Sequence, residues 1–278
     1  MGTITMITSG KGGVGKSTIS AGIACALAER GQKVLLLDGD AGMRSLDLIL
    51  GIGDKAVYDF SDIFNGNCEP YRAIYPSPVY RGVSMVAAPP SFESLCTPRD
   101  MRRLCKGFGK YYDQVIIDCP AGVGNGFKAA MEAAERALVV CTPDAVSSRD
   151  AAMVGDMLRQ NKVSSRLIIT RLRATPILRG KTPDIDDIID AAGIRLIGVV
   201  PEDEMVATAA ANGQPLSGNC PAVEAYLTGN KAVHIANQSE EDMQILLKNW
   251  ETNAAVKLIT LLPKLPESLQ NILWNSFQ

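Results

Sequence analysis

Ser9-Gly10-Lys11-Gly12-Gly13-Val14-Gly15-Lys16-Ser17-Thr18 is the stretch from which the rest of the chain is read. Its core is G-x-x-x-x-G-K-[ST], a loop that cradles phosphates. That motif needs a strand before it and a helix after it. Ile4-Thr5-Met6-Ile7-Thr8 supplies the apolar, β-type run upstream. From Lys16 to Arg30, Ile19, Ile23, Ala26 and Leu27 recur on one helical face, and Gly31 gives a stop. A triphosphate concentrates negative charge at one end. Successive N–H groups in a tight loop, with the positive end of a helix dipole, make a fixed site for it. Gly10, Gly12, Gly13 and Gly15 permit backbone conformations closed to other residues and let phosphate oxygens come close. Lys16 is placed to reach the β- and γ-phosphates, and the Ser17 hydroxyl to bind Mg²⁺. Val14 and Thr18 complete the binding stretch.

At 278 residues, 46% of them apolar, the chain can fill one large α/β core or two small ones. A formal net charge of −2 gives no bulk attraction to nucleic acid or to an acidic membrane. The seven cysteines (25, 68, 96, 105, 119, 141 and 220) include no C-x-x-C pair. That argues against a zinc site and a disulfide framework, and several fall in apolar runs as small hydrophobes. An iron–sulfur carrier stays open, and it predicts coloured protein. The N-terminus enters a strand at once, and no apolar run approaches the ~18 residues of a membrane span. A cytoplasmic protein is expected.

Lys33-Val34-Leu35-Leu36-Leu37-Asp38-Gly39-Asp40 reads as a buried parallel strand that delivers carboxylates to the edge where the loop lies. Val83 to Ala88, Asp113 to Asp118, Ala137 to Thr142, Arg166 to Thr170 and Ile194 to Val200 read as further strands, the last being the final clear one. Residues 52 to 82 read as a surface excursion with a short helix near Val57 to Phe64. Thr97-Pro98-Arg99-Asp100 reads as a helix start, with Thr97 at the N-cap and Pro98 at the first helical position. Buried strands alternating with helices predict a doubly wound, mostly parallel α/β sheet flanked by helices. Asp118, closing a hydrophobic strand, suits the acid that holds Mg²⁺ directly or through its water. Asp38 and Asp40 serve either chemistry or the capping of a neighbouring helix.

These stretches resemble one family. Lys11 to Thr18 is similar to K-G-G-V-G-K-[ST]-T, the deviant P-loop of the MinD/ParA ATPases, which are P-loop NTPases of the SIMIBI type. The resemblance implies an ATP-sandwich homodimer in which Lys11 reaches the partner's nucleotide, so that Lys11 and Lys16 both neutralise phosphate charge. Asp38 to Gly51 resembles D-x-D-x-G-L-R-N-L-D-L-x-x-G of the MinD branch, with Ser45 in place of Asn. It implies that Asp40 orients the attacking water and joins Ser17 and Asp118 around the metal. Phosphoryl transfer needs an oriented in-line water and neutralised charge more than a strong base. Asp118 to Gly124 resembles D-S-P-A-G-I-E, with Cys119 for Ser and Gly124 for Glu; there the Gly122 N–H is implied as a γ-phosphate sensor. Thr142 to Ala151 resembles T-P-E-V-S-A-V-R-D-A, a helix start near the dimer and regulator surface. Thr170-Arg171 stands where MinD has N-R beside the adenine. Pro201-Glu202 opens a match to I-P-E-D-x-x-V, whose backbone flanks the adenine, and Ala209 to Leu216 continues the likeness.

After Pro221 no familiar motif follows. Ser239-Glu240-Glu241-Asp242 has the form of a helix start, and Met243, Leu247, Trp250, Ala254, Leu258 and Leu261 repeat at helical spacing. The chain therefore divides into an ATPase domain, 1–238, and a C-terminal helical extension, 239–278. MinD proteins end in a basic amphipathic helix that docks on anionic lipid. This tail has an apolar face with Trp274 beside it, but no Lys or Arg after Lys264. It either makes a peripheral contact with the inner face of the membrane or packs on its own core or a partner. Arg159, Lys162, Arg166, Arg171, Arg173, Arg179 and Lys181, with no acid among them, form either a DNA-phosphate patch or a solvated face, and nucleic acid is not the expected partner. His234, the only histidine, is assigned no chemistry. The expected function is a Mg²⁺-dependent ATP hydrolase that dimerises on ATP and places the division site through regulators of the MinC/MinE type. Its rivals are a ParA-like or flagellar-placement ATPase acting on DNA or cargo, and a nucleotide-gated scaffold with little turnover, motivated by Ser45 and Gly124.

Overall fold

Each stretch read as a strand forms one, and alternate residues of the central strands feed two separate cores. The computed structural model describes residues 1–40, 45–89, 97–173, 176–177, 179, 181–202, 208 and 232–233. β1 (Thr3–Thr8) leads through the phosphate loop into α1 (Lys16–Glu29), followed by β2 (Val34–Asp38) and the short α2 (Ser45–Ile49). Next come α3 (Phe60–Asn65), β3 (Tyr75–Pro76), β4 (Val83–Val86) and α4 (Pro98–Phe108). β5 (Gln114–Asp118), α5 (Asn125–Ala133), β6 (Arg136–Cys141) and α6 (Ala145–Gln160) precede β7 (Ser164–Leu172), α7 (Ile185–Ala192), β8 (Leu196–Pro201) and β9 (Ala232–Val233).

The strands form one sheet in the order β3-β4-β2-β5-β1-β6-β7-β8-β9. Every pairing is parallel except that of β3 with β4. From β1 the chain runs out to β2 and β4, returns to β5, then crosses to β6 on the other side of β1. The order reverses around β1, and open α/β sheets bind ligands at such a crevice, beyond the carboxyl ends of the strands.

The pleat sorts the side chains. Ile4 and Met6 of β1, with Leu35 and Leu37 of β2, join a core closed by α4, α5, α6 and α7 through residues such as Phe108, Phe127, Val154 and Ile188. Ile7, Val34 and Leu36 point the other way and pack on Ile19, Ile23 and Leu27 of α1 and Leu46 of α2. Each fully buried aliphatic side chain stabilises by roughly 1.5–3 kcal/mol. The helix-start signal at Thr97 holds: its hydroxyl accepts the Asp100 N–H, Asp100 answers in a capping box, and Pro98 opens α4.

Two strands lie outside the expected set. β3 sits inside the stretch read as an excursion, and β9 follows the last expected strand. Each has two residues, too few to show an alternation. The expected helix near Val57 to Phe64 begins later, at Phe60, because Asp59 caps it. The Tyr75 hydroxyl accepts the N–H groups of Val57 and Tyr58 at 2.9 and 2.7 Å and holds the lead-in extended. The expected tail helix, the 238/239 boundary, the Ala209 to Leu216 likeness and His234 lie outside the described residues. Among the described residues no helix is long and apolar enough to cross a membrane.

Candidate functional site

The loop after β1 is held from both sides. Ser9, fully buried, donates its hydroxyl to the Lys11 carbonyl at 2.6 Å. Gly13 (φ 74°) and Gly15 (φ 96°) take left-handed conformations, open to glycine without strain. Gly15 is the N-cap of α1, and among the described residues no side chain caps that helix. Its first N–H groups are thus left for an anion, with the helix dipole behind them. Gly10 and Gly12 are not left-handed. A Cβ at Gly10 would come within 2.4 Å of the Asp150 Cβ, so this glycine lets the loop pack against α6. That corrects the reading of all four glycines as conformational devices. Lys16 is buried at the head of α1. Lys11 is half exposed, its ammonium 3.9 Å from Asp144.

Two buried carboxylates face the loop. Asp38 and Asp118 end neighbouring strands in register. The Asp38 carboxylate accepts the Asp40 N–H at 3.0 Å, and Asp118 Oδ1 accepts the Ser20 hydroxyl at 2.9 Å. Asp118 Oδ2 is buried with no hydrogen-bond partner among the described residues. Burial, then the nearby Asp118 charge, pushes Asp38 up from 3.8 to about 8. Burial also raises Asp118, to about 6, against the pull of the Ser17 and Ser20 hydroxyls and the Lys16 ammonium. Asp40, half buried, adds its charge to both. An unpartnered carboxylate oxygen, a serine hydroxyl and mutually repelling acids are the donor set a hard, oxygen-seeking cation relieves. Mg²⁺ therefore fits Ser17 and Asp118, with Asp40 nearby.

Several contacts escaped the sequence reading. Ser45 donates to the Ser17 hydroxyl at 3.1 Å, tying α2 to the proposed metal ligand. Ser20 sits on the inner face of α1; a polar residue among its buried apolar neighbours was the available signal. Asp144 caps α6 through the Ser147 N–H and accepts the Thr142 hydroxyl at 2.6 Å. Burial would raise this acid, but the Thr142 hydroxyl, the Ser147 N–H and Lys11 hold it below its ordinary value.

Thr170, Arg171, Pro201 and Glu202 lie at the β7–β8 pairing. Thr170, buried, donates its hydroxyl to the Val14 carbonyl at 2.6 Å and also lies 3.2 Å from the Cys141 carbonyl. It braces the phosphate loop from behind. Arg171 is exposed and left-handed (φ 53°), at a register shift between Thr170 and Leu172. Such outliers in non-glycine residues cluster at ligand clamps. Pro201 pairs with Leu172, and the Glu202 N–H donates to the Leu172 carbonyl at 3.0 Å. The Gly122 N–H donates to the Ser9 carbonyl at 3.1 Å; reaching a phosphate requires exchanging that bond. Three members of the cation run from Arg159 to Lys181 have partners of their own. Arg159 pairs with Asp156, Arg173 with Glu202, and Arg166 donates to the Ser165 carbonyl.

Residues 5–216 match the CobQ/CobB/MinD/ParA nucleotide binding domain. The chain is 37% identical over 221 residues to the septum site-determining protein MinD of Bacillus subtilis, covering 78% of this chain and 82% of that one. Among solved structures it is similar to the MinC:MinD cell division protein complex of Aquifex aeolicus, with TM-score 0.74 and 31% identity over 85% of this chain and 98% of that one. It is also similar to the septum site-determining protein MinD of Pyrococcus horikoshii complexed with Mg-ADP, with TM-score 0.69 and 28% identity over 92% of this chain and 97% of that one.

Proposed function

The chain belongs to the CobQ/CobB/MinD/ParA nucleotide-binding family, and from that premise we propose that it is a MinD-like, Mg²⁺-dependent ATP hydrolase that places the cell-division site. The observation that carries the chemistry is the uncapped head of α1 standing beside Asp118, whose Oδ2 is buried with no hydrogen-bond partner among the described residues. Backbone N–H groups of the loop bind the phosphates, and Lys16 neutralises charge on the transferring group. Ser17 and Asp118 hold the metal, which when bound neutralises phosphate oxygens. Asp40 orients the attacking water.

Lys11 lies outward, half exposed, at the capped start of α6. That position supports its use by a second copy, in an ATP-bound homodimer. Val146 and Met153 on α6 are 61% and 48% exposed, which suits a protein-binding face. The relative solved with MinC supports a regulator of that type here. Thr170, Pro201 and Glu202 bound the side of the loop proposed for the adenine, with Arg171 free to stack on it. A peripheral membrane contact through residues 239–278 completes the proposal. A scaffold with little turnover is the second reading; Gly124, at the N-cap of α5 with no side chain to cap it, favours it.

Phosphate release by the wild type and Asp40→Ala, with ATP binding measured separately, decides between them. Turnover by the wild type and a loss of roughly 10²–10⁴-fold in the variant is expected. Equal, near-zero rates with ATP bound would leave only the scaffold. Sizing with ATP, for wild type and Lys11→Ala, tests the dimer; an ATP-loaded monomer at high concentration would sink it.

A further inference from the structure

At the end of the sheet opposite the phosphate loop, the surface between α3, the β3–β4 edge and α4 opens into a groove of about 1190 Å³. Its floor is apolar, built by Phe64, Ile74, Leu104 and Phe108. Tyr71 and Tyr111 stand over it, 72% and 76% exposed. Lys33, Arg81, Arg103 and Lys110 rim it against one carboxylate, Asp100. That carboxylate already accepts the N–H and hydroxyl of Thr97. Along α4 the basic face continues through exposed Arg99 and Lys106. In a chain of net charge −2, this concentration of cations is local.

The geometry selects an occupant. The rim cations are all exposed, so the groove does not enclose a small polar ligand. A flat bilayer would leave the hollow floor wet, and a nucleic-acid backbone would use the rim and leave the aromatic floor unfilled. An occupant that satisfies both parts carries carboxylates at its edges and apolar anchors along its centre. Strand addition is hindered at this edge, because β3 ends in Pro76, which has no N–H to give. A helix laid into the groove has no such requirement. We infer that this groove docks an acidic amphipathic helix of a partner protein, its carboxylates against Arg81, Arg103 and Lys110 and its apolar anchors on Phe64, Leu104 and Phe108. Tyrosine over an apolar floor beside arginine is the composition that concentrates binding energy at interfaces. The site is separate from the nucleotide chemistry and does not depend on it.

The test uses the full chain and a labelled synthetic helix of about 16 residues, long enough to hold its form. Leu and Trp lie on one face and Glu elsewhere; a control carries Lys for every Glu. Fluorescence anisotropy should give the acidic probe at least ~10-fold tighter binding than the control, weakening between about 0.05 and 0.3 M salt. Arg103→Glu with Lys110→Glu should weaken it by ~10-fold or more, and Tyr111→Ala by several-fold, a central aromatic being a common hot spot. Unchanged ATP affinity and melting in these variants would show that they fold. Equal binding of the two probes, or no effect of the substitutions, would overturn the inference. So would tighter binding of duplex DNA or phosphatidylglycerol vesicles that the same substitutions abolish.

Discussion

The two ends of the sheet handle charge in opposite ways. At the carboxyl end of β2 and β5, Asp38, Asp118 and Lys16 are buried, few and mutually dependent. At the other end Lys33, Arg81, Arg103 and Lys110 are exposed and interchangeable as charges. A buried charge is costly unless matched, whereas an exposed one is screened by salt. Single substitutions should therefore act sharply at the first end and by degrees at the second. The largest expected effect is Asp118→Ala. Removing the orphan oxygen should cut the Mg²⁺-dependent part of nucleotide affinity on the order of 100-fold, at or beyond what metal sites lose with a supporting partner. Nucleotide titrations with and without Mg²⁺ measure it. An unchanged metal dependence would break the contrast between the ends.

Asp38 gives the contrast a pH signature. Its folded value is raised, to about 8 from 3.8, so the fold keeps a proton that the unfolded chain has released. Stability is then fully present below the unfolded value and is lost as pH rises through about 8. Asp118, raised to about 6, acts with the same sign. Without nucleotide and metal, melting temperature should fall between pH 5 and pH 8. Asp38→Asn, which mimics the protonated acid and can still accept the Asp40 N–H, should flatten that fall and stabilise the protein at pH 8. Mg²⁺ with nucleotide should do the same for the wild type. Identical slopes in wild type and variant would remove Asp38 as the cause.

The sequence carried the strand ends better than what joins them. Apolar runs closing in Asp38 and Asp118 announced both the sheet and its acidic edge, and Thr97-Pro98 announced α4, because those signals are local. Thr170 illustrates the opposite case. Its hydroxyl meets the Val14 carbonyl, 156 positions away, and no local pattern encodes that. The groove was invisible for the same reason: Lys33, Arg81, Arg103 and Lys110 come from separated segments, and only the fold gathers them. The cation run from Arg159 to Lys181 is visible in the sequence, but its pairing of Arg159 with Asp156 and of Arg173 with Glu202 is not, Glu202 lying 29 positions from its partner.

Two glycine-to-alanine changes sharpen the comparison on a smaller scale. At Gly10 the new Cβ would lie 2.4 Å from the Asp150 Cβ and 2.8 Å from its backbone. Neither a strand-end loop nor a helix backbone yields easily, so Gly10→Ala should cost about 1–3 kcal/mol, as overpacking does, and weaken nucleotide binding with it. Gly107 lies in α4 on the groove wall, and a Cβ there meets nothing within 4 Å. Alanine at that site removes only the entropy that glycine loses on entering a helix, so Gly107→Ala should stabilise by about 0.5–1 kcal/mol. Denaturant melts of the two variants read both signs. Loss of stability at Gly107 would mean that the groove wall is packed as tightly as the phosphate loop, and the distinction between a rigid end and an adaptable one would fail.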